Sequence, residues 1–317
     1  MHIIKNMEQQ NKRLFKSHFL GDFMKKGIRF IWQGIIVSMI LAYLFFVLGD
    51  FIRQPLVSLV GNALSSTSFG SLLCTYVGFV AYWIVYLLIF GLWKKKRPYV
   101  YLASTKVKGN NFKMLGIGFI LGFICNAICV FVAMVTGSVH IQFKEFNPLI
   151  LILFIVFIFV QSSFEEVLVR GFVYQRIQKA YHKPVLSIVF GGLFFALIHI
   201  PNGLNMIAFL SIAVVGIAYA LCVYYLDSIW IAFAMHTAWN FTQNIIFGLP
   251  NSGIPSTYSI FKIVGATKNG IAFNTYFGVE SSIVAIIVNA LLALAVIYWG
   301  KKHPVKQTDV WAENANN

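Results

Sequence analysis

Eight runs of mostly apolar residues divide this chain, at roughly 30–49, 72–93, 114–136, 148–169, 184–200, 204–226, 229–248 and 280–300. A helix needs about 20 such residues to cross the hydrocarbon core of a bilayer. The chain therefore reads as all-α, a polytopic membrane protein with about eight transmembrane helices. Composition agrees: 59% of the 317 residues are hydrophobic and 11% are charged, far from the balance of a soluble domain. An even number of spans puts both termini on one side.

The net charge of +15 would suggest nucleic acid in a soluble protein, but its distribution reports topology instead. All but four of the 25 lysines and arginines fall in the segment before residue 30, in 94–113, in 170–183 or after Gly300; the exceptions are Arg53, Lys144, Lys262 and Lys268. By the positive-inside rule, the rich side and both termini are cytoplasmic. The basic runs read as anchors at anionic lipid, which makes membrane lipids a partner and nucleic acid not one. The expected organisation is a basic N-terminal segment 1–29, a single transmembrane domain 30–300 with its chemistry in about 148–248, and a tail 301–317. The N-terminal region lacks the pattern of a cleavable signal peptide and is expected to remain as the first span. Cys74, Cys125, Cys129 and Cys222 all fall inside spans, where they act as small apolar residues with no disulfide framework and no CxxC metal motif.

Against this background the stretch SSFEEVLVRG, Ser162 to Gly171, needs a reason. Of ten acidic residues seven are assigned to loops or tails and Asp227 to the end of a span, which leaves Glu165 and Glu166. Of seven histidines only His199 and His236 sit within an apolar run. Ionisable groups at membrane depth cost at least a few kcal/mol each, so they signal function unless they act as buried helix-to-helix contacts. Glu166 and Arg170 are four apart with the acid first, the favoured order for an ion pair on one helix face. Glu165 points about 100° away, has no local cation, and is the carboxylate free to act as general base. His236 and Asn240 also share a face, and the amide can donate to a developing oxyanion. Two readings follow: a metal site of the two-His, one-Glu kind formed by His199, His236 and Glu165, or a metal-free site where Glu165 activates water and the histidines polarise it. Zinc is left open, and the metal-free route stands equally. Ser162 and Ser163 lack the GxSxG or SxxK setting of a catalytic serine and read as helix contacts. A transporter's proton relay would use similar residues, but the paired, interrupted helices of such folds are not evident.

These residues resemble the CPBP intramembrane endopeptidases, which include CaaX-prenyl proteases and bacterial Abi or bacteriocin-immunity proteins. EExxxR is Glu165, Glu166 and Arg170; FxxxH is Phe195 and His199; the third motif is His236 and Asn240. The resemblance covers about 148–248. It implies a membrane enzyme that hydrolyses peptide bonds of a membrane-associated or lipophilic peptide, sited in a bacterial plasma membrane. Glu165 would activate the water, His199 and His236 would assist or bind metal, Asn240 would hold the oxyanion, and Glu166 with Arg170 would support them. The alternative within the same family is a non-catalytic immunity or binding protein. One geometric difficulty bears on the fold. At about 1.5 Å per residue, His199 would lie roughly 22 Å into its span and His236 only about 10 Å into its own. The two meet if the fourth helix is long, running from about Pro148 to about Lys179 with Glu165 near its middle.

Overall fold

The computed structural model describes residues 32–64, 66–67, 69–93, 97–203, 205–265 and 267–313, together with Gly27. The N-terminal segment 1–29, Gly27 aside, and Lys94 to Lys96 lie outside the described residues. The chain is overwhelmingly helical. Among the described residues seven helices are long and apolar enough to cross a membrane: α1 (Gly34–Leu64), α2 (Gly70–Gly91), α3 (Phe112–Val135), α4 (Pro148–Tyr181), α5 (Pro184–Asn202), α6 (Met206–Leu226) and, after one shorter helix, α8 (Ile283–Lys302).

The difference from eight falls on that shorter helix, α7 (residues 230–246). It comprises eleven α-helical residues and six in π register, together roughly 26 Å at about 1.5 Å per residue. Its surroundings explain its length. Every residue from Ile231 to Ile245 is buried, so α7 is enclosed by protein and its span is not set by lipid. It packs most extensively on α3, where Gly118 and Gly122 sit one turn apart. A methyl group on either would run into the carbonyl oxygens of Ile231 or Met235, so small residues let the two backbones touch.

The long fourth helix is present. α4 extends over 34 residues, about 51 Å. Asn147 caps its start, its side chain accepting from the backbone N–H of Leu149 and Ile150 ahead of a first-turn Pro148. It ends at His182, whose φ of 53° turns the chain before Pro184 opens α5. No break interrupts it between Glu165 and Gln175. Instead Val167–Tyr174 adopts π register, and residues 161–175 are all buried. Stretches of this kind concentrate at functional sites because the wider turn re-aims side chains.

The helices sort the connecting segments onto two ends. At one, the Asn110 side chain accepts from Ser228 Oγ and the backbone N–H groups of Ile229 and Trp230. There too the Asp227 carboxylate accepts from Thr308, and Lys179 lies 3.6 Å over the Trp311 ring. At the other end, β1 (Ile141–Phe143) pairs antiparallel with β2 (Phe261–Ile263), Gln142 opposite Lys262. The segments carrying most of the described lysines and arginines thus gather at the first end. Residues 247–282, which hold β2 and are called the cap below, belong to the second.

Candidate active site

The polar residues of the apolar runs meet at one place, built by α4, α5 and α7. Glu166 and Arg170 form the expected pair at 2.9 Å, both side chains fully buried. Their environment supplies more than the pairing. Arg170 Nη2 donates to the Gly216 carbonyl at 2.8 Å, and its guanidinium lies 4.7 Å over the Phe195 ring. Gly216 presents that carbonyl where α6 crosses α5, with Gly192 so close that a Cβ on Gly216 would sit 2.8 Å from its Cα. Glu166 turns its second oxygen to His236 Nδ1 at 3.0 Å. It is therefore shared between an arginine and a histidine, which accounts for an anion deep in the protein.

The histidines are held in matching fashion. His199 Nδ1 lies 2.7 Å from the Phe195 carbonyl, which can only accept, so Nδ1 is the donor. His236 Nδ1 donates likewise to Glu166. In each neutral ring the lone pair then resides on Nε2. Both Nε2 atoms face the same atom, Glu165 Oε2, at 3.9 Å from His199 and 3.8 Å from His236. That oxygen is buried and finds no hydrogen-bond partner among the described residues. Separations beyond hydrogen-bond reach between converging polar atoms are the spacing that a bridging water spans.

Glu165 does have a neighbour that the sequence reading missed. Gln161, one turn earlier on α4, donates from Nε2 to Glu165 Oε1 at 2.6 Å, and its carbonyl accepts from Asn240 Nδ2 at 3.0 Å and from Ser162 Oγ at 3.1 Å. Glu165 thus has no local cation but does have a neutral hydrogen-bond partner, and one N–H of the Asn240 amide is committed to Gln161. The signal was available, because Gln161 and Glu165 are four apart on one face. Ser163 donates to the Val160 carbonyl, so neither serine is set beside a base.

His199, His236 and Asn240 line a cavity of about 30 Å³, room for about two water molecules. Two further lining residues, Ser252 and Glu280, come from the cap. The cavity wall includes the cap, at the end opposite the basic segments. The cap hangs from α7. Gln243 Nε2 donates to the carbonyls of Pro250 and Phe277, while Asn244 Nδ2 donates to that of Leu249.

His199, His236 and Glu165 together form a donor set of the kind that metal ions take. Its chemistry fits a two-His, one-carboxylate zinc site, and the bonds from His199 Nδ1 to a carbonyl and from His236 Nδ1 to a carboxylate are those that orient zinc ligands. Tetrahedral zinc with bonds of about 2.1 Å separates its ligands by roughly 3.4 Å, so the observed 3.8 and 3.9 Å would have to contract by several tenths of an ångström. Among the described residues no group of three or more His, Cys, Asp or Glu is close enough to be a ready-made site.

No curated protein matches the chain. Residues 147–242 do match one family model, described as Type II CAAX prenyl endopeptidase Rce1-like. The match begins at the Asn147 cap of α4 and ends two residues beyond Asn240, so it encloses the three motifs and the helices that carry them. Over residues 147–242 this integral membrane protein thus matches the Rce1-like type II CAAX prenyl endopeptidase family, in agreement with the resemblance its motifs carry.

Proposed function

We propose that the protein is an intramembrane endopeptidase, cutting a peptide bond in a membrane-associated or lipophilic peptide, in a bacterial plasma membrane. The observation that carries this reading is the meeting of three buried acceptors, Glu165 Oε2 and the two imidazole Nε2 atoms, within the segment that matches the family. Three lone pairs directed at one point call for a molecule that donates, and a water there has two protons to give. Glu165 takes one proton as the water oxygen attacks the scissile carbonyl carbon. A histidine Nε2 accepts the water's other hydrogen bond and fixes its direction. As the carbonyl oxygen becomes an oxyanion, the second N–H of Asn240 donates to it. The proton on Glu165 then passes to the leaving nitrogen, the C–N bond breaks, and a carboxylic acid and an amine remain, between which the acid's proton redistributes. Glu166 and Arg170 act through His236 as positioning residues, and Gln161 aligns Glu165 with Asn240. The same three acceptors, His199, His236 and Glu165, would hold a zinc ion, which when bound supplies Lewis-acid polarisation of the water.

The test is mass spectrometry of membrane and secreted peptides from cells expressing wild type or Glu165→Gln at matched levels. New termini present only with wild type establish proteolysis and identify the substrate. Identical peptide sets, with any biological effect intact in the variant, place the protein with the non-catalytic immunity or binding members of the family.

A further inference from the structure

The motif chemistry makes no use of Glu280, which lies outside the matched segment. Its side chain is 7% exposed, and it lines the same cavity as His199, His236 and Asn240. One carboxylate oxygen accepts the backbone N–H of Ser252 across the cap. Among the described residues no lysine or arginine pairs with it: their ion pairs are Arg53 with Asp50, Lys144 with Glu145 and Arg170 with Glu166. A buried carboxylate without a cation is costly unless something else supplies the charge. The cavity is also lined by the hydroxyls of Ser211, Tyr219 and Ser252, the Trp239 indole, both imidazoles and the Asn240 amide, but by no lysine or arginine. The Glu280 carboxylate is thus matched to a cationic occupant.

From this geometry we infer that Glu280 is a specificity residue of the site, selecting peptides that place a lysine or arginine side chain beside the bond to be cut. The inference rests on the endopeptidase reading. A basic side chain is far larger than a 30 Å³ cavity, so a wall has to give way. Ser252 and Glu280 are the lining residues that no helix supplies, and the loop carrying them is the movable wall. Burial pushes the Glu280 carboxyl up to about 8; an ammonium or guanidinium beside it would draw the value down and release the proton, exchanging one positive charge for another.

The experiment uses the full-length protein in lipid nanodiscs and a parent peptide already shown to be cut. The residue next to the cut is either lysine or norleucine, of similar length without the charge. Wild type is expected to favour the lysine peptide by at least about tenfold in kcat/KM, because a site built around a polar group rejects the analogue that leaves it unpaired. Glu280→Gln keeps an oxygen for the Ser252 N–H and should bring the two peptides level by slowing the lysine peptide alone. Equal cleavage of both peptides by wild type, or equal slowing of both by Glu280→Gln, overturns the inference while leaving proteolysis intact. Failure of wild type to cut any parent peptide removes the endopeptidase reading, and this inference with it.

Discussion

The cavity has two unlike walls. The helical wall is a closed network: Glu166 is shared between Arg170 and His236, His199 is tied to Phe195, and Gln161 joins Glu165 to Asn240. One atom of it, Glu165 Oε2, is left facing the histidines. The cap wall is a loop whose one acid, Glu280, touches a backbone N–H and has no counter-charge. The contrast assigns different work to the two. A wall whose polar groups are mostly tied to one another fixes geometry and chemistry. A loop carrying a buried acid without a counter-charge is suited to choosing what enters and to moving when it does.

The contrast is broken most severely from the helical side. Glu165→Gln should lower kcat by up to about 10⁴-fold, the upper range for losing a general base, while thermal unfolding in detergent stays near wild type because glutamine still accepts from Gln161. An unchanged rate would remove Glu165 from the chemistry. Next in size is the buried pair. Arg170→Met strands Glu166 and should cost about 3–5 kcal/mol of stability, and restoring neutrality with Glu166→Leu in the same chain should recover much of it. Thermal melts of the single and double variants read this directly, and a double variant no better than the single would mean that the pair is not what Glu166 needs. Asn240→Ala should reduce kcat by about 10²–10³-fold with little change in KM, as loss of an oxyanion donor does; a rise in KM alone would instead make it a binding residue.

The cap sharpens the comparison with a smaller effect. Below about pH 8 the carboxyl of Glu280 is protonated in the empty site, and above it the group is ionised. The preference of wild type for a lysine peptide over its norleucine counterpart should therefore grow as pH rises from 6 to 9, since lysine keeps its charge across that range. Glu165, His199 and His236 act on both peptides, so the ratio of kcat/KM isolates Glu280. A ratio that is flat with pH in wild type, or that still rises in Glu280→Gln, would contradict this.

The two walls also differed in how far the sequence disclosed them. Glu165, Glu166, His199 and His236 stand out because hydropathy makes a charged or imidazole group in an apolar run conspicuous, and helical spacing then pairs Glu166 with Arg170. The long α4 follows from the depths at which two histidines must meet, although nothing in the residues announced the π register of Val167–Tyr174. Gln161 passed unnoticed because an uncharged amide barely disturbs an apolar run, even though its spacing to Glu165 was readable. Glu280 was illegible for the opposite reason: in a polar loop one more acid carries no contrast, and only the folding of the cap over the cavity buries it. The seventh run misled on length, since α7 is apolar from packing against α3 and α4 and not from contact with lipid.

The most direct test of the central claim is a single-turnover cleavage by the purified protein in nanodiscs, run in water enriched in heavy oxygen. Attack by a water that Glu165 activates predicts one heavy oxygen in the new C-terminal carboxylate from the first turnover, with none in Glu165 itself. An unlabelled first product with label left in a glutamate would reveal a covalent acyl intermediate, and no product at all would contradict the assignment of this cavity to peptide hydrolysis.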